Sequence, residues 1–559
     1  MSEQRVGGIS DTAVVAAVGS AAAVVALLWL WGGIAGAIFG GGWPQVDASQ
    51  LGGVLMRLPG HLGDPARAWP DTIRSRMPGP EGFYAALWLL FSIAGMFALA
   101  LSRAGVRVRA RRPGARWAGR DDLRPLHRHG GAGRLTLGRR RGRLLRAEQR
   151  HALVVFGPPQ SGKSAGLAVP ALLEWEGPAI ASSIKGDLLA ATGRRRRSRG
   201  SVFVFDPFEL AGTDSHTWSP LHGARSWDGA LEVAWRLASA GELDRHSVEG
   251  GDFWAIAAEQ RLAPLLYAAS ATGAQIDSVV RWAYGQGTRD LDQALAQLAG
   301  SAGDDAELAD AHAAYDAVRA FEAQADRTRS SIEATAQALL RAYRFSRVAR
   351  SARSCEITPD RLLDEAATLY LIGDAKASKL LRPIFLALLS EVVDRAYERA
   401  TLAGGRLELP LLLCLDEAGN IAPLPNLAEI ASTAPSHNIQ LVSIFHDLAQ
   451  ARSRYRQQAE TVVNSHRARM LLPGVADLET LRYFAGLVGE EEARDRSLTT
   501  GAGGTTRSIA QRRRPLVAPE ALRQLPQGHA LLLYGRIPPT ELRLRMWFDD
   551  LRLRRLART

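Results

Sequence analysis

The chain has 559 residues, 47% of them apolar and 23% charged, and a net charge of +12. That length accommodates two to four domains, and the composition is ordinary for a folded protein with some membrane content. Its two cysteines, Cys355 and Cys414, lie far apart, which excludes a disulfide framework or a cysteine-built metal site and places the bulk of the chain in a reducing compartment.

Residues 13–39 carry no charge and are rich in Ala, Val, Leu, Ile, Trp and Gly. As a helix rising about 1.5 Å per residue they exceed a hydrocarbon core of roughly 30 Å, and they are too long for a signal peptide. Residues 83–101 form a second uncharged stretch with Tyr84 and Trp88 near one end, as an interfacial aromatic belt has. Arg103, Arg107, Arg109, Arg111, Arg112, Arg116 and Arg120 crowd the segment after it. The loop between the spans instead balances Arg57, Arg67, Arg74 and Arg76 against Asp47, Asp64, Asp71 and Glu81. The positive-inside rule then puts both termini and the main body in the cytoplasm, at the inner or plasma membrane. Residues 1–102 are the expected membrane anchor. Residues 103–150 read as a basic juxtamembrane segment, continuing through Arg124, Arg134, Arg139, Arg140, Arg141, Arg143, Arg146 and Arg150. It suits anionic lipid, and its distal part leaves nucleic acid open.

Residues 151–156 (HALVVF) read as a buried parallel strand. They run into Gly157, Pro158, Pro159, Gln160, Ser161, Gly162, Lys163 and Ser164 (GPPQSGKS), and then into an apparent helix over 165–175. Strand, glycine loop and helix are the setting a phosphate-binding P-loop requires. Its backbone N–H groups and the helix N-terminus face the phosphates of ATP. Lys163 reaches the β- and γ-phosphates, and the Ser164 hydroxyl is an Mg²⁺ ligand. Lys163 is one of only four lysines, with Lys185, Lys376 and Lys379, in a chain whose arginine skew suits a GC-rich genome. A lysine that persists there points to a needed compact ammonium.

Strands are also expected over 179–184, 202–205, 368–372 and 439–445, with Lys185, Gly186, Asp187 and Asp206 at strand ends on the ligand edge. About 160 residues between the second and third of these repeat apolar residues at three and four, as in 252–269, 291–298 and 329–343. A connection that long is a domain rather than a loop. Residues 409–417 (LPLLLCLDE) then form an unbroken apolar run ending in an acid pair. Asp416 is assigned to Mg²⁺, and Glu417 to orienting and deprotonating the attacking water. An acid pair at that strand end is expected beside the P-loop. His446, after the following strand, sits where related motors carry a polar sensor of the γ-phosphate. Residues 498–514 (LTTGAGGTTRSIAQRRR) read as flexible or disordered, followed by a last helix over 515–522 and a last strand over 530–534.

Taken together, two spans, the P-loop, EWEGPAIASSIKGDLLAATG with VFVFDPF, LDEAGNIAPLPNL, the Asn464 region before ARMLL, and RRPLVAPEAL occur in an order that resembles the TraG/TraD-like coupling proteins of type IV secretion and conjugation. The resemblance covers almost the whole chain. It implies a membrane-bound homo-hexameric ATPase that recruits single-stranded DNA with its relaxase, or a protein, and passes it to the type IV channel. It also implies that the helical insertion recognises the substrate. Two departures stand out. The stretch TAPSHNI lacks the family's Arg-Gly pair, so no trans-acting arginine is placed there, and His446 stands where the family usually has Gln. The expected fold is α/β: a RecA-like P-loop NTPase core (151–221 and 361–559), an inserted all-α domain (222–360) and two N-terminal transmembrane helices. The alternatives are an FtsK-type DNA-segregation translocase, which would more naturally carry further spans and a long linker, and a nucleotide-binding adaptor that docks substrates.

Overall fold

The computed structural model describes residues 11–103, 114–127, 133–245, 251–501 and 504–559. Met1–Arg112 and Pro113–Thr559 form two compact units.

In the first unit the two apolar stretches are helices, Asp11–Phe39 and Pro80–Arg103, each a little longer than its uncharged core. Windows of both, Ala22–Phe39 and Pro80–Phe97, are long and apolar enough to cross a membrane. Large apolar side chains such as Trp88, Phe91 and Phe97 point outward, where water would be costly and lipid would not. The helices are held by a small cluster around Trp69, which is fully buried with Phe83 and Ala35. Gly32 permits that packing, because a Cβ there would stand 2.0 Å from the Trp69 ring. Arg107, Arg109, Arg111 and Arg112, on which the expected orientation leans, lie outside the described residues.

Among its described residues the second unit has thirteen strands: β1 Thr136–Arg140, β2 Arg143–Arg146, β3 Leu153–Phe156, β4 Ala179–Ser183, β5 Val202–Phe205, β6 Thr368–Ile372, β7 Leu411–Leu415, β8 Ile439–Phe445, β9 Ala468–Leu471, β10 Glu490–Gly501, β11 Gly504–Pro515, β12 His529–Tyr534 and β13 Ile537–Arg543. Among the described residues, eleven of them form one sheet in the order β2-β1-β13-β12-β9-β3-β8-β7-β4-β6-β5. From β9 to β5 every pairing is parallel. The strands β12, β13, β1 and β2 continue that sheet antiparallel.

β3, β4, β6, β7 and β8 are buried along their whole length, and β5 and β9 nearly so, which is why their sequences are largely apolar runs rather than alternations. Their side chains still divide by parity. Val154 and Phe156 enter one hydrophobic cluster, whereas Leu153 and Val155 enter the other, on the opposite face of the sheet.

Two expectations change. The distal half of the basic segment is not only a juxtamembrane tether, because β1 and β2 close one edge of the main sheet. Leu135, Leu137 and Leu145 turn inward while Arg139, Arg141 and Arg143 stay exposed. Residues 498–514, read as flexible, belong to a β10–β11 hairpin whose pairing runs from Glu490 opposite Pro515 to Gly501 opposite Gly504. There the backbone ladder rather than an apolar stripe defines the strands.

Every regular element described between β5 and β6 is helical, from Trp227–Arg245 to Pro359–Asp364. These helices are not walled off from the core. Leu237 and Leu262 belong to the same hydrophobic cluster as Phe156 and Phe385.

The parallel edge depends on one buried arginine. Arg196, on helix Asp187–Arg197, is fully buried and donates to Trp175 O (2.7 Å), Gly177 O (2.7 Å), Ala366 O (3.0 Å) and Thr368 Oγ1 (2.6 Å). It thereby ties the approaches to β4 and β6 together, and burial pushes its guanidinium down to about 10. Arg196→Met keeps the volume but orphans three carbonyls. We expect it to lower unfolding free energy by about 3 kcal/mol, read as a fall in the denaturant midpoint. A midpoint equal to wild type would show that other donors replace it.

Candidate nucleotide-binding site

β3 delivers the chain to Gly157, whose N–H donates to Phe445 O at 3.0 Å and so pins the loop to the end of β8. Gln160 (φ 66°) and Gly162 (φ 90°) take the left-handed region, whereas Lys163 is right-handed (φ −49°). Alternation of this kind turns successive N–H groups toward one concavity, the arrangement that binds anions. The positive φ is what requires glycine at 162, since the atom nearest a Cβ there, Met546 Cε at 2.6 Å, ends a flexible side chain that can move. The expected helix after the loop begins with a single wide π turn, Ser164–Ala168, before Val169–Glu174 continues as an α-helix.

The acid pair is not directly beside the P-loop strand. β8 lies between β3 and β7, so Asp416 and Glu417 approach the loop from the second strand over. The Ser164 hydroxyl donates to Asp416 Oδ2. Asp416 is only 4% exposed, and its other oxygen, Oδ1, is buried with no partner among the described residues. A hydroxyl and an unsatisfied carboxylate oxygen, side by side, are the hard donors that Mg²⁺ takes. The residues therefore fit the ion. Burial pushes the Asp416 carboxyl up to about 6, with the Ser164 hydrogen bond opposing and the neighbouring Glu417 charge reinforcing.

Lys163 is 7% exposed. Its Nζ donates to Gly157 O (2.9 Å) and Pro158 O (3.3 Å), contacts His446 Nδ1 at 3.1 Å and stands 3.6 Å from Glu417 Oε1. Glu417 has a left-handed backbone (φ 65°), which costs a residue with a Cβ roughly 1 kcal/mol. Its Oε2 meets His446 Nε2 at 2.9 Å and Asn420 Nδ2 at 3.0 Å. Burial raises the Glu417 carboxyl, but the His446 hydrogen bond and the Lys163 charge outweigh it and leave a net lowering.

The structure thus brings Lys163, Ser164, Asp416, Glu417 and His446 into one cluster. Of the other strand-end residues, Asp187 lies close enough for its charge to raise Asp416 and accepts from Ser183 Oγ at 2.9 Å. The Lys185 backbone N–H donates to the same Ser183 Oγ at 3.3 Å. Asp206 is fully buried and accepts from Ala211 N at 2.8 Å, bracing the turn after β5. Two contributors escaped the sequence. Asn420 holds Glu417, and Gln450 Oε1 accepts the His446 backbone N–H at 2.7 Å. A polar residue three positions after the acid pair, inside a mostly apolar stretch, was the only signal for the first.

With that geometry in place, residues 120–558 match the family model described as Type IV secretory system Conjugative DNA transfer. The chain belongs to that family. It is 24% identical over 404 residues to the conjugal transfer protein TraG of Escherichia coli, covering 67% of this chain and 61% of TraG. It is 24% identical over 434 residues to protein VirD4 of Rhizobium rhizogenes, covering 74% of this chain and 60% of VirD4. The matched region thus spans about three fifths of the length of these curated relatives. The plasmid coupling protein TrwB, solved in complex with ADP and Mg²⁺, superposes with a TM-score of 0.56 at 16% identity, covering 78% of this chain and 94% of that one. At that identity the likeness concerns the fold, and the family's α/β core here is RecA-like.

Proposed function

We propose that this chain is a membrane-anchored ATPase that couples ATP hydrolysis to transfer of DNA, with its relaxase, or of protein through a type IV secretion channel. The observation that carries the reading is the convergence of Lys163, Ser164, Asp416 and Glu417 where β3 and β7 end, in a chain of this family.

In this reading residues 157–164 wrap the phosphates, and Lys163 leaves its carbonyl partners to neutralise the β- and γ-phosphates. Ser164 and Asp416 hold Mg²⁺, which supplies charge neutralisation on the phosphate oxygens. Glu417 orients a water and takes its proton, and His446 senses the γ-phosphate. The nucleotide complex of TrwB supports ATP and Mg²⁺ as the ligands. The two apolar helices support a membrane anchor, and the arginine excess after the second of them is the reason to place both termini and the main body in the cytoplasm. We assign residues 1–102 to the anchor, 103–150 to a basic connector whose distal part joins the sheet, 151–221 with 361–559 to the NTPase core, and 222–360 to an all-α insertion that recognises cargo. A homo-hexamer is the assembly this reading implies.

The test is ATP turnover by the full-length chain in lipid nanodiscs with and without single-stranded DNA. Stimulation of several-fold is expected. Turnover that ignores DNA but responds to a protein partner would favour a docking adaptor.

A further inference from the structure

Glu417 is assigned above as the base, yet its carboxylate is fully engaged. Oε1 faces Lys163 Nζ at 3.6 Å, and Oε2 is held by His446 Nε2 and Asn420 Nδ2 at 2.9 and 3.0 Å. The group is 7% exposed, so these contacts replace solvent.

The protonation pattern follows from donor chemistry. An ammonium only donates, so the His446 Nδ1 that faces Lys163 Nζ at 3.1 Å must be the accepting nitrogen. Nε2 then carries the hydrogen and donates to Glu417. His446 bridges the other two, and Lys163, His446 and Glu417 form a closed triangle of contacts.

Asn420 closes the clamp from the other side, and the backbone fixes where it stands. Asn420 N–H and Ile421 N–H both donate to Glu417 O, at 2.9 and 3.1 Å. Ala418 N–H donates to Ile444 O at 2.9 Å, which ties the same turn to β8. A tight turn with Glu417 at φ 65° therefore delivers the Asn420 amide to the carboxylate three residues earlier. His446 is braced independently through Gln450.

We propose that Asn420 is a positioning residue that keeps Glu417 clamped against His446, so that the base comes free when a triphosphate draws Lys163 out of the cluster. The inference rests on the reading of Glu417 as base. Lys163 has three N–H groups, two on the Gly157 and Pro158 carbonyls and one toward His446 Nδ1, so a triphosphate that recruits all three takes it out of the triangle. Nucleotide therefore removes one corner of the triangle, and the carboxylate is then restrained only at Oε2, where Asn420 Nδ2 holds it against His446 Nε2. The strength of the Asn420 hydrogen bond sets how often Glu417 swings onto a water when no cargo is present.

The experiment measures cargo-free ATP turnover of the full-length chain in nanodiscs. Asn420→Ala is expected to raise kcat about tenfold, the effect of losing one hydrogen bond to a charged acceptor, with KM for ATP within about twofold of wild type. Asn420→Ser, which keeps a shorter donor, should fall between the two. A residue that merely stabilised the turn would lower kcat or raise KM instead. A kcat at or below wild type in Asn420→Ala overturns the clamp. If that variant does not fold, the same result in Asn420→Ser overturns it. Lys163→Ala is run beside them. Turnover that survives Lys163→Ala overturns the P-loop assignment and the clamp with it, whereas turnover lost there and not raised by the Asn420 variants overturns the clamp alone.

Discussion

Lys163→Ala is expected to reduce ATP turnover by at least about a thousandfold and to weaken ATP binding to the point where a fluorescent analogue no longer saturates. The ammonium is the one cation in the described cluster, and it sits 7% exposed between the Gly157 and Pro158 carbonyls, His446 and Glu417. In a water-poor site a charge-assisted contact to phosphate is far stronger than at the surface, and the lysine makes more than one as charge moves to the leaving group. A loss of about 4 kcal/mol gives the thousandfold. Lys163→Arg is expected to fail as well. The planar guanidinium is a fork rather than a point charge, and the space that accepts Nζ is bounded by backbone carbonyls. The chain uses arginine nearly everywhere else, so this substitution asks whether the compact ammonium matters. Unfolding midpoints of both variants, matched to wild type, separate lost chemistry from lost fold. Full turnover in either would remove Lys163 from the mechanism.

Glu417→Gln is expected to keep ATP affinity within a few-fold while kcat falls by roughly 10²–10⁴, the contribution of a positioned general base. The protein should then be isolated with ATP rather than ADP, which nucleotide extraction and chromatography would read directly. The amide keeps the size of the acid and can still meet His446 and Asn420, so the left-handed turn survives. Wild-type turnover in this variant would transfer the base role elsewhere. Asp416 should behave differently. In the proposed reading its unpartnered buried oxygen and its hydrogen bond from Ser164 would serve the ion, so altering it should cost Mg²⁺ dependence together with turnover.

Most of the parallel strands could be placed from sequence because burial on both faces leaves largely apolar runs, so β5, β6 and β8 fall on their expected bounds, whereas β9, which carries Arg469, lay outside the expected strands. The antiparallel edge was hidden for physical reasons. β1 and β2 are short and mix buried leucines with arginines without a clean alternation, and the arginines read first as a membrane-proximal charge run. β13 carries Pro538 and Pro539, which argue against a strand, but Pro539 spends its carbonyl on the Ala118 N–H instead of continuing a plain ladder. The β10–β11 hairpin has no apolar alternation to detect. At the site, Lys163, Ser164, Asp416 and Glu417 declared themselves through motif spacing. Asn420 and Gln450 did not, because what they do depends on a turn angle and a neighbouring helix that no local pattern encodes.

The strand order also has a consequence for synthesis. Leu153 of the P-loop strand pairs with Val442 on one side and Ala468 on the other. The strand that carries the nucleotide loop emerges early, and both of its edges stay open until the ribosome has added the whole helical region and β6 to β9. At about 5–20 residues per second that interval is on the order of 15–60 s. Throughout it, an apolar strand with unpaired backbone is exposed. Slowing translation between residues 160 and 440 should therefore raise the misfolded fraction more than slowing it after residue 475.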